Sequence, residues 1–111
     1  MATITNLYID AGADYSIIVT ANQSNGDPLN LTGYTVKSQI RKSYASQTAY
    51  DFTATVYSQL AGKIRLALTA AQTSAIKPGR YLYDVEITSA IGEKRRVLEG
   101  IIIVTPEITQ I

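Results

Sequence analysis

The amino-acid sequence predicts an all-β sandwich. Short runs rich in β-branched and aromatic residues alternate in polarity, and Gly, Pro, Asn and Asp separate them. The 111 residues are 46% apolar and 17% charged, a composition typical of one folded domain with a single core. We therefore expect residues 1–111 to form a single β-sandwich domain.

Seven runs have strand character, and the clearest alternation is in Gly33–Arg41, where Val36 and Ile40 share a face opposite Lys37 and Arg41. Such a strand has one buried face and one solvated face. The seven runs are Thr3–Ile9, Asp14–Ala21, Gly33–Arg41, Tyr50–Tyr57, Lys63–Leu68, Arg80–Thr88 and Arg95–Thr105.

The alternation stops between residues 69 and 76, where Thr69 followed by Gln72 matches a helix capping box. A short helical turn is predicted there, ended by Lys77-Pro78-Gly79. About seven strands, a helical crossing before the sixth, and Tyr81 or Tyr83 at the position of a tyrosine corner indicate an immunoglobulin-like sandwich. An OB-type barrel is the alternative fold.

Charge and composition argue against several classes of function. The formal net charge is +1, and the longest basic cluster, Lys94-Arg95-Arg96, is too short to follow a phosphate backbone. No nucleic-acid or membrane partner is expected, and the absence of a signal peptide or long apolar stretch predicts synthesis in a cytoplasm. The sequence has no cysteine or histidine, which removes disulfides and the commonest general base and metal ligands.

Carboxylates are the remaining candidates for chemistry. Asp84 and Glu86 share a strand face roughly 7 Å apart, a spacing compatible with glycosidase carboxylates, although an ordinary solvent-facing row explains them better. The turn residues Asp10, Asp14 and Asp27, with Asn25, lack the alternating ligands of a calcium loop and are interpreted as turn and cap residues. We predict no catalytic residue, no metal ligand and no cofactor.

The last run is apolar on both faces. If Leu98 faces the core, then Val97, Ile101 and Ile103 point outward, where Leu82 joins them. Either the chain itself or a partner must cover such a patch, and the sequence leaves both open.

The chain has eight tyrosines and no tryptophan. Tyr44 and Tyr50 flank the irregular connection Ser43–Ala49, and with Tyr57 they are candidate interface residues, because tyrosine is enriched at interfaces. Tyr8, Tyr44 and Tyr57 are balanced between interface and plain surface, and a role in stacking on sugar rings is also open to them.

Three short motifs resemble those of a known family: Leu-Thr-Gly-Tyr at 31–34, Leu-Thr-x-x-Gln-Thr at 68–73 and Gly-x-Tyr-x-Tyr-Asp at 79–84. In this order they resemble an immunoglobulin-like domain that recurs in virion proteins of tailed bacteriophages. The resemblance extends over about Leu31 to Thr109. It implies a non-enzymatic module of a baseplate, tail, neck or capsid surface, located in the virion and repeated in symmetric copies. No functional residue transfers, because the shared positions are core and turn positions.

The leading hypothesis is therefore a structural or assembly protein of a phage virion that binds other virion proteins and copies of itself. A carbohydrate-binding or host-surface-binding module, with a host-surface glycan as its partner, is the alternative. A small hydrolase that uses Asp84 and Glu86 is a third hypothesis.

Overall fold

The computed structural model describes residues 3–23, 26–43 and 49–106. Within these ranges the chain forms strands and one short helix. They are β1 (Thr3–Ile4), β2 (Leu7–Asp10), β3 (Tyr15–Thr20), β4 (Thr35–Arg41), β5 (Ala49–Asp51), β6 (Thr53–Ser58), β7 (Lys63–Leu68), α1 (Ala70–Ser74), β8 (Gly79–Thr88) and β9 (Lys94–Thr105).

Two sheets face each other around one core. The larger sheet has the order β1-β9-β8-β4-β5, with β2 also paired to β9, and the smaller sheet has the order β3-β7-β6. β1 and β2 run parallel to β9, whereas all other pairs are antiparallel. This is the immunoglobulin-like sandwich that the sequence predicts.

Two of the seven predicted runs are divided. The first breaks at Thr5-Asn6 into β1 and β2, and the fourth breaks at Phe52 into β5, which pairs with β4, and β6, which pairs with β7 in the other sheet. The prediction of one strand over Tyr50–Tyr57 is therefore wrong. Alternation could not reveal the change of sheet, because both sheets point their inner residues at the same core and the period of two continues through Phe52.

The core lies between the sheets, with the Phe52 ring near its centre. Its centroid is 6.3 Å from those of Tyr15 and Tyr83, and the Phe52 ring meets Tyr83 edge to face. Both sheets contribute the buried apolar side chains, which are Leu7, Ile9, Val19, Ala21, Leu31, Ile40, Phe52, Ile64, Leu66, Leu68, Ile76, Tyr81, Tyr83, Val85, Ile87, Val97, Leu98, Ile102 and Val104.

The predicted helical turn is confirmed as α1. The Thr69 hydroxyl accepts a hydrogen bond from Gln72 N (3.2 Å), and the Gln72 side chain accepts one from Thr69 N (2.8 Å), which completes the capping box. The buried Thr73 ties the helix to the segment before β3 by donating to the Ala13 carbonyl. No helix in the described ranges is long and apolar enough to cross a membrane.

Tyr81 forms the tyrosine corner. Its hydroxyl donates to the Lys77 carbonyl, four residues upstream, at 2.7 Å, while the ring is buried in the core. This bond fixes the path of the chain from α1 into β8.

Tyr83 makes a second long-range bond. Its hydroxyl donates to the Thr5 carbonyl at 2.6 Å, and burial raises the pKa of Tyr83 to about 12, so the proton stays in place at neutral pH. The same Thr5 carbonyl lies against Gly100, where a Cβ atom would collide with it. The first segment therefore approaches the last strand most closely at the one place where β9 has no side chain.

Replacing Tyr81 with Phe is expected to lower the free energy of unfolding by about 1–2 kcal/mol, because the Lys77 carbonyl loses its donor while ring packing is kept. Urea denaturation measures this. Tyr57→Phe is the matched control, since that side chain is 63% exposed and its loss of a hydroxyl should change little. Equal losses of unfolding free energy in the two variants would contradict a stabilising role for the Tyr81 hydrogen bond.

Gly100→Ala is expected to cost about 3 kcal/mol, because the new methyl group must displace the Thr5 backbone. Gly92→Ala is the comparison, since Gly92 has a positive φ of 91° but nothing within 4 Å, and the backbone strain alone should cost about 1–2 kcal/mol. If denaturation showed Gly92→Ala to be the more destabilising change, the Thr5 backbone would be able to move away from a side chain at position 100.

Candidate functional site

The outer face of the larger sheet carries a strip of apolar side chains. Leu82 of β8 pairs with Ile101 of β9, and Tyr8 of β2 pairs with Ile103 of β9. Leu82, Ile101 and Ile103 are half-buried, whereas Tyr8 is 71% exposed. We call these four residues the apolar strip. The outer face of such a sheet normally carries polar side chains, and Leu82, Ile101 and Ile103 depart from that pattern.

The prediction that Val97 belongs to this outward set is wrong, because Val97 is only 7% exposed. Val85 pairs with Leu98 and Glu86 pairs with Arg96, so Val97 is an extra residue on β9 at a β-bulge. A bulge breaks the alternation and allows Val97 and Leu98 both to reach the core.

The structure does not gather the candidate tyrosines at the strip. Tyr50 is half-buried and packs edge to face on Tyr81, with ring centroids 6.3 Å apart. Tyr57 is exposed, but it lies on β6 of the smaller sheet. Tyr44 lies outside the described residues. The tyrosine beside the strip is Tyr8. The sequence alone does not predict this position, because the parallel pairing of β2 with β9 joins segments far apart in the chain.

A shallow groove of about 230 Å³ adjoins the apolar strip on the same sheet face. Carboxylates, arginines and an amide surround it, and Leu82 is common to the groove and the strip. Its lining residues are Gln39, Arg41, Ser43, Leu82, Tyr83, Asp84, Glu86, Arg96 and Glu99.

Arg96 organises the carboxylates of the groove. Its Nε lies 3.3 Å from Asp84 Oδ2, and its Nη1 lies 3.4 Å from Glu99 Oε2. Burial raises the pKa of Asp84, and nearby Glu86 adds to the rise, while the Arg96 guanidinium opposes it. The groove therefore holds a mixed network of charge rather than a free acid.

Asp84 and Glu86 do share the outer side of β8, as the sequence predicts, and both line the groove. Among the described residues, however, no three His, Cys, Asp or Glu side chains are grouped so that they could hold a metal ion. A groove of paired charges beside an apolar strip is suited to binding a complementary protein surface.

The turn carboxylates have structural partners. Asp14 accepts a hydrogen bond from Ala70 N (2.7 Å) at the start of α1, and Asp10 accepts one from the Thr105 hydroxyl (2.9 Å). These bonds agree with their interpretation as turn and cap residues. Asn25 lies outside the described residues.

Replacing Asp84 with Asn should change how stability depends on pH. Because the folded pKa lies above the ordinary value of 3.8, the folded chain holds this proton more tightly, so the carboxyl favours folding at low pH and disfavours it once both states are ionised. The stability of Asp84→Asn relative to the parent should therefore be more favourable at pH 7 than at pH 3, as measured by urea denaturation. The opposite trend would mean that the ion pair with Arg96 outweighs the cost of burial.

No protein-family model and no curated protein matches this chain. Solved structures are similar to it, among them an internalin-like protein from Listeria monocytogenes, at 16% identity and a TM-score of 0.46 over 96% of this chain. Another is a family 123 glycoside hydrolase from Clostridium perfringens, at 11% identity and a TM-score of 0.43 over 96% of this chain. The chain spans 28% and 24% of the lengths of those two chains, about a quarter of each. Neither similarity assigns a function to this chain.

Proposed function

We propose that this protein is a non-catalytic structural module that assembles with other proteins through the outer face of its larger sheet. The observation that carries the proposal is the apolar strip, in which Leu82 lies opposite Ile101, and Ile103 follows two residues later on the same outer side of β9. Contiguous apolar surface of this kind is typical of protein interfaces.

The neighbouring groove supplies specificity. In the groove Arg96 lies between two carboxylates, those of Asp84 and Glu99. A partner must therefore present a complementary pattern of charge, because otherwise unpaired charges would be buried in the interface. The apolar strip provides desolvation, and the charged groove determines the orientation in which the partner binds.

We further propose that the assembly is the virion of a tailed bacteriophage. The support is the ordered resemblance of three segments to virion sandwich domains, at residues 31–34, 68–73 and 79–84. These segments include Leu31 in the core, the Thr69 capping box and the Tyr81 corner. The partners would then be other virion proteins, together with further copies of this chain.

Replacing both Ile101 and Ile103 with Lys tests the surface. The double variant should remain folded, because both side chains face outward, yet it should lose incorporation into phage particles, because lysines would be buried without partners. Circular dichroism reports folding, and quantitative mass spectrometry of particles purified after infection reports incorporation.

The matched control is Thr53→Lys with Thr55→Lys, which adds the same two charges to the exposed outer face of the smaller sheet. It should be incorporated like the parent. Normal incorporation of the Ile101 and Ile103 double variant would show that the outer face of the larger sheet is not the assembly surface.

A further inference from the structure

The smaller sheet has an open edge at β3. β3 pairs with β7 on one side, whereas the first segment of the chain, which could have flanked β3, pairs instead with β9 in the larger sheet. Within the described ranges no strand pairs with the other side of β3. Its outward backbone N–H and C=O groups are therefore available to another strand.

The register identifies these outward groups. Ala21 N donates to Gly62 O at 2.8 Å, and this pair continues the antiparallel register in which Thr20 lies opposite Lys63. Because hydrogen-bonded positions alternate along an antiparallel strand, Tyr15, Ile17 and Val19 direct their backbone groups to β7. The groups of Ser16, Ile18 and Thr20 point to the open side.

β3 lacks the features that usually protect an edge. Tyr15–Thr20 reads Tyr-Ser-Ile-Ile-Val-Thr, with no charge, no proline and no shift in its register with β7. The other edges of the described sheets differ: β5 has three residues, β6 has a register shift between Val56 and Ser58, and the edge formed by β1 and β2 is interrupted. An unprotected six-residue edge is a template for strand pairing.

The side chains of β3 are also incompletely covered. Ile18 is 44% exposed on the outer face, and Tyr15 and Ile17 are only half-buried although they pack against the core. A strand added beside β3 would cover these apolar groups, as β7 does on the opposite side.

We propose that β3 pairs antiparallel with β3 of a second copy of this chain, across a two-fold axis at Ile18. The three outward-directed residues are centred on Ile18, so Ile18 meets its own counterpart, and Ser16 meets Thr20 of the second copy. This register forms six backbone hydrogen bonds and joins the two smaller sheets into one continuous sheet of six strands.

Self-complementarity identifies the second copy as the occupant. The facing pairs are Ile with Ile and Ser with Thr, both favourable across antiparallel strands, and no charge meets a like charge directly. The nearest charged neighbour in the same row is Arg65 on β7, one strand removed from β3 in each copy. The pairing also leaves the apolar strip free, because the strip belongs to the larger sheet.

Sedimentation velocity over a concentration series tests the proposal on the purified full chain. The parent should show a reversible monomer–dimer equilibrium. Ile18→Pro removes the central outward N–H without removing a β3–β7 hydrogen bond, so it should raise the dimer dissociation constant about tenfold or more. Ile18→Lys should weaken the dimer by a similar factor, because two lysines would face each other at the axis.

Thr55→Lys is the matched control. Thr55 and Ile18 both pair with Arg65, on its two sides, so each substitution adds a lysine beside the same arginine, yet only Ile18 lies on the β3 edge. The control should dimerise like the parent. A parent that stays monomeric up to about 1 mM, or a dimer that survives Ile18→Pro, would overturn the proposal.

Amide hydrogen exchange of the parent provides a readout that does not depend on a folded variant. The amides of Ser16, Ile18 and Thr20 should exchange more slowly as the protein concentration rises. The amides of Ala54 and Val56, which face the open side of β6 in the same sheet, should not change. Concentration-independent exchange at Ile18 would contradict the pairing.

Discussion

The carbonyl oxygen of Thr5 lies against Gly100 and accepts the hydroxyl hydrogen bond of Tyr83 at 2.6 Å. Asn6 reinforces the contact, since its side-chain oxygen accepts a hydrogen bond from Ile101 N at 3.1 Å. Because a side chain at position 100 would occupy the place of the Thr5 carbonyl, the missing Cβ allows the first segment to approach β9. This contact lies between the two stretches, β1 and β2, that pair with β9 in the larger sheet.

The pairing of the first segment with β9 bears on both candidate surfaces. Once β2 pairs with β9, Tyr8 lies next to Ile103 and extends the apolar strip beyond the last strand. For the same reason no strand of the described ranges lies on the outer side of β3, since the segment that precedes it belongs to the other sheet. The pairing of β2 with β9 thus affects both what the larger sheet presents and what the smaller sheet leaves open.

Alternation predicted much of the fold. It located the inward face of β4 correctly, and the capping residues Thr69 and Gln72 located α1. Alternation could not predict the break at Phe52 or the pairing of β2 with β9. A period of two indicates which face of a strand is buried, but not which strand lies beside it. Gly100 within an apolar strand was the available signal of a close backbone approach.

The candidate site was predicted in part. Leu82, Ile101 and Ile103 lie on the outer face as expected, but Val97 does not, because a bulge is set by the pairing with β8 and leaves no mark on the polarity of Arg96-Val97-Leu98. The sequence did not predict the groove beside the strip, because its charges come from strands that meet only in the folded sheet.

The bulge at Val97 also determines where the apolar strip ends. In an unbroken register Val97 would lie opposite Glu86 on the outer face, because Asp84 pairs with Glu99 and Val85 with Leu98. The extra residue turns Val97 into the core and brings Arg96 opposite Glu86 instead, within reach of Asp84. An apolar side chain is thereby replaced by a guanidinium among three carboxylates. The face that results carries the apolar strip at one end, with Arg80 opposite Ile103, and the Arg96 network at the other, so a partner that matches both ends is held in one orientation.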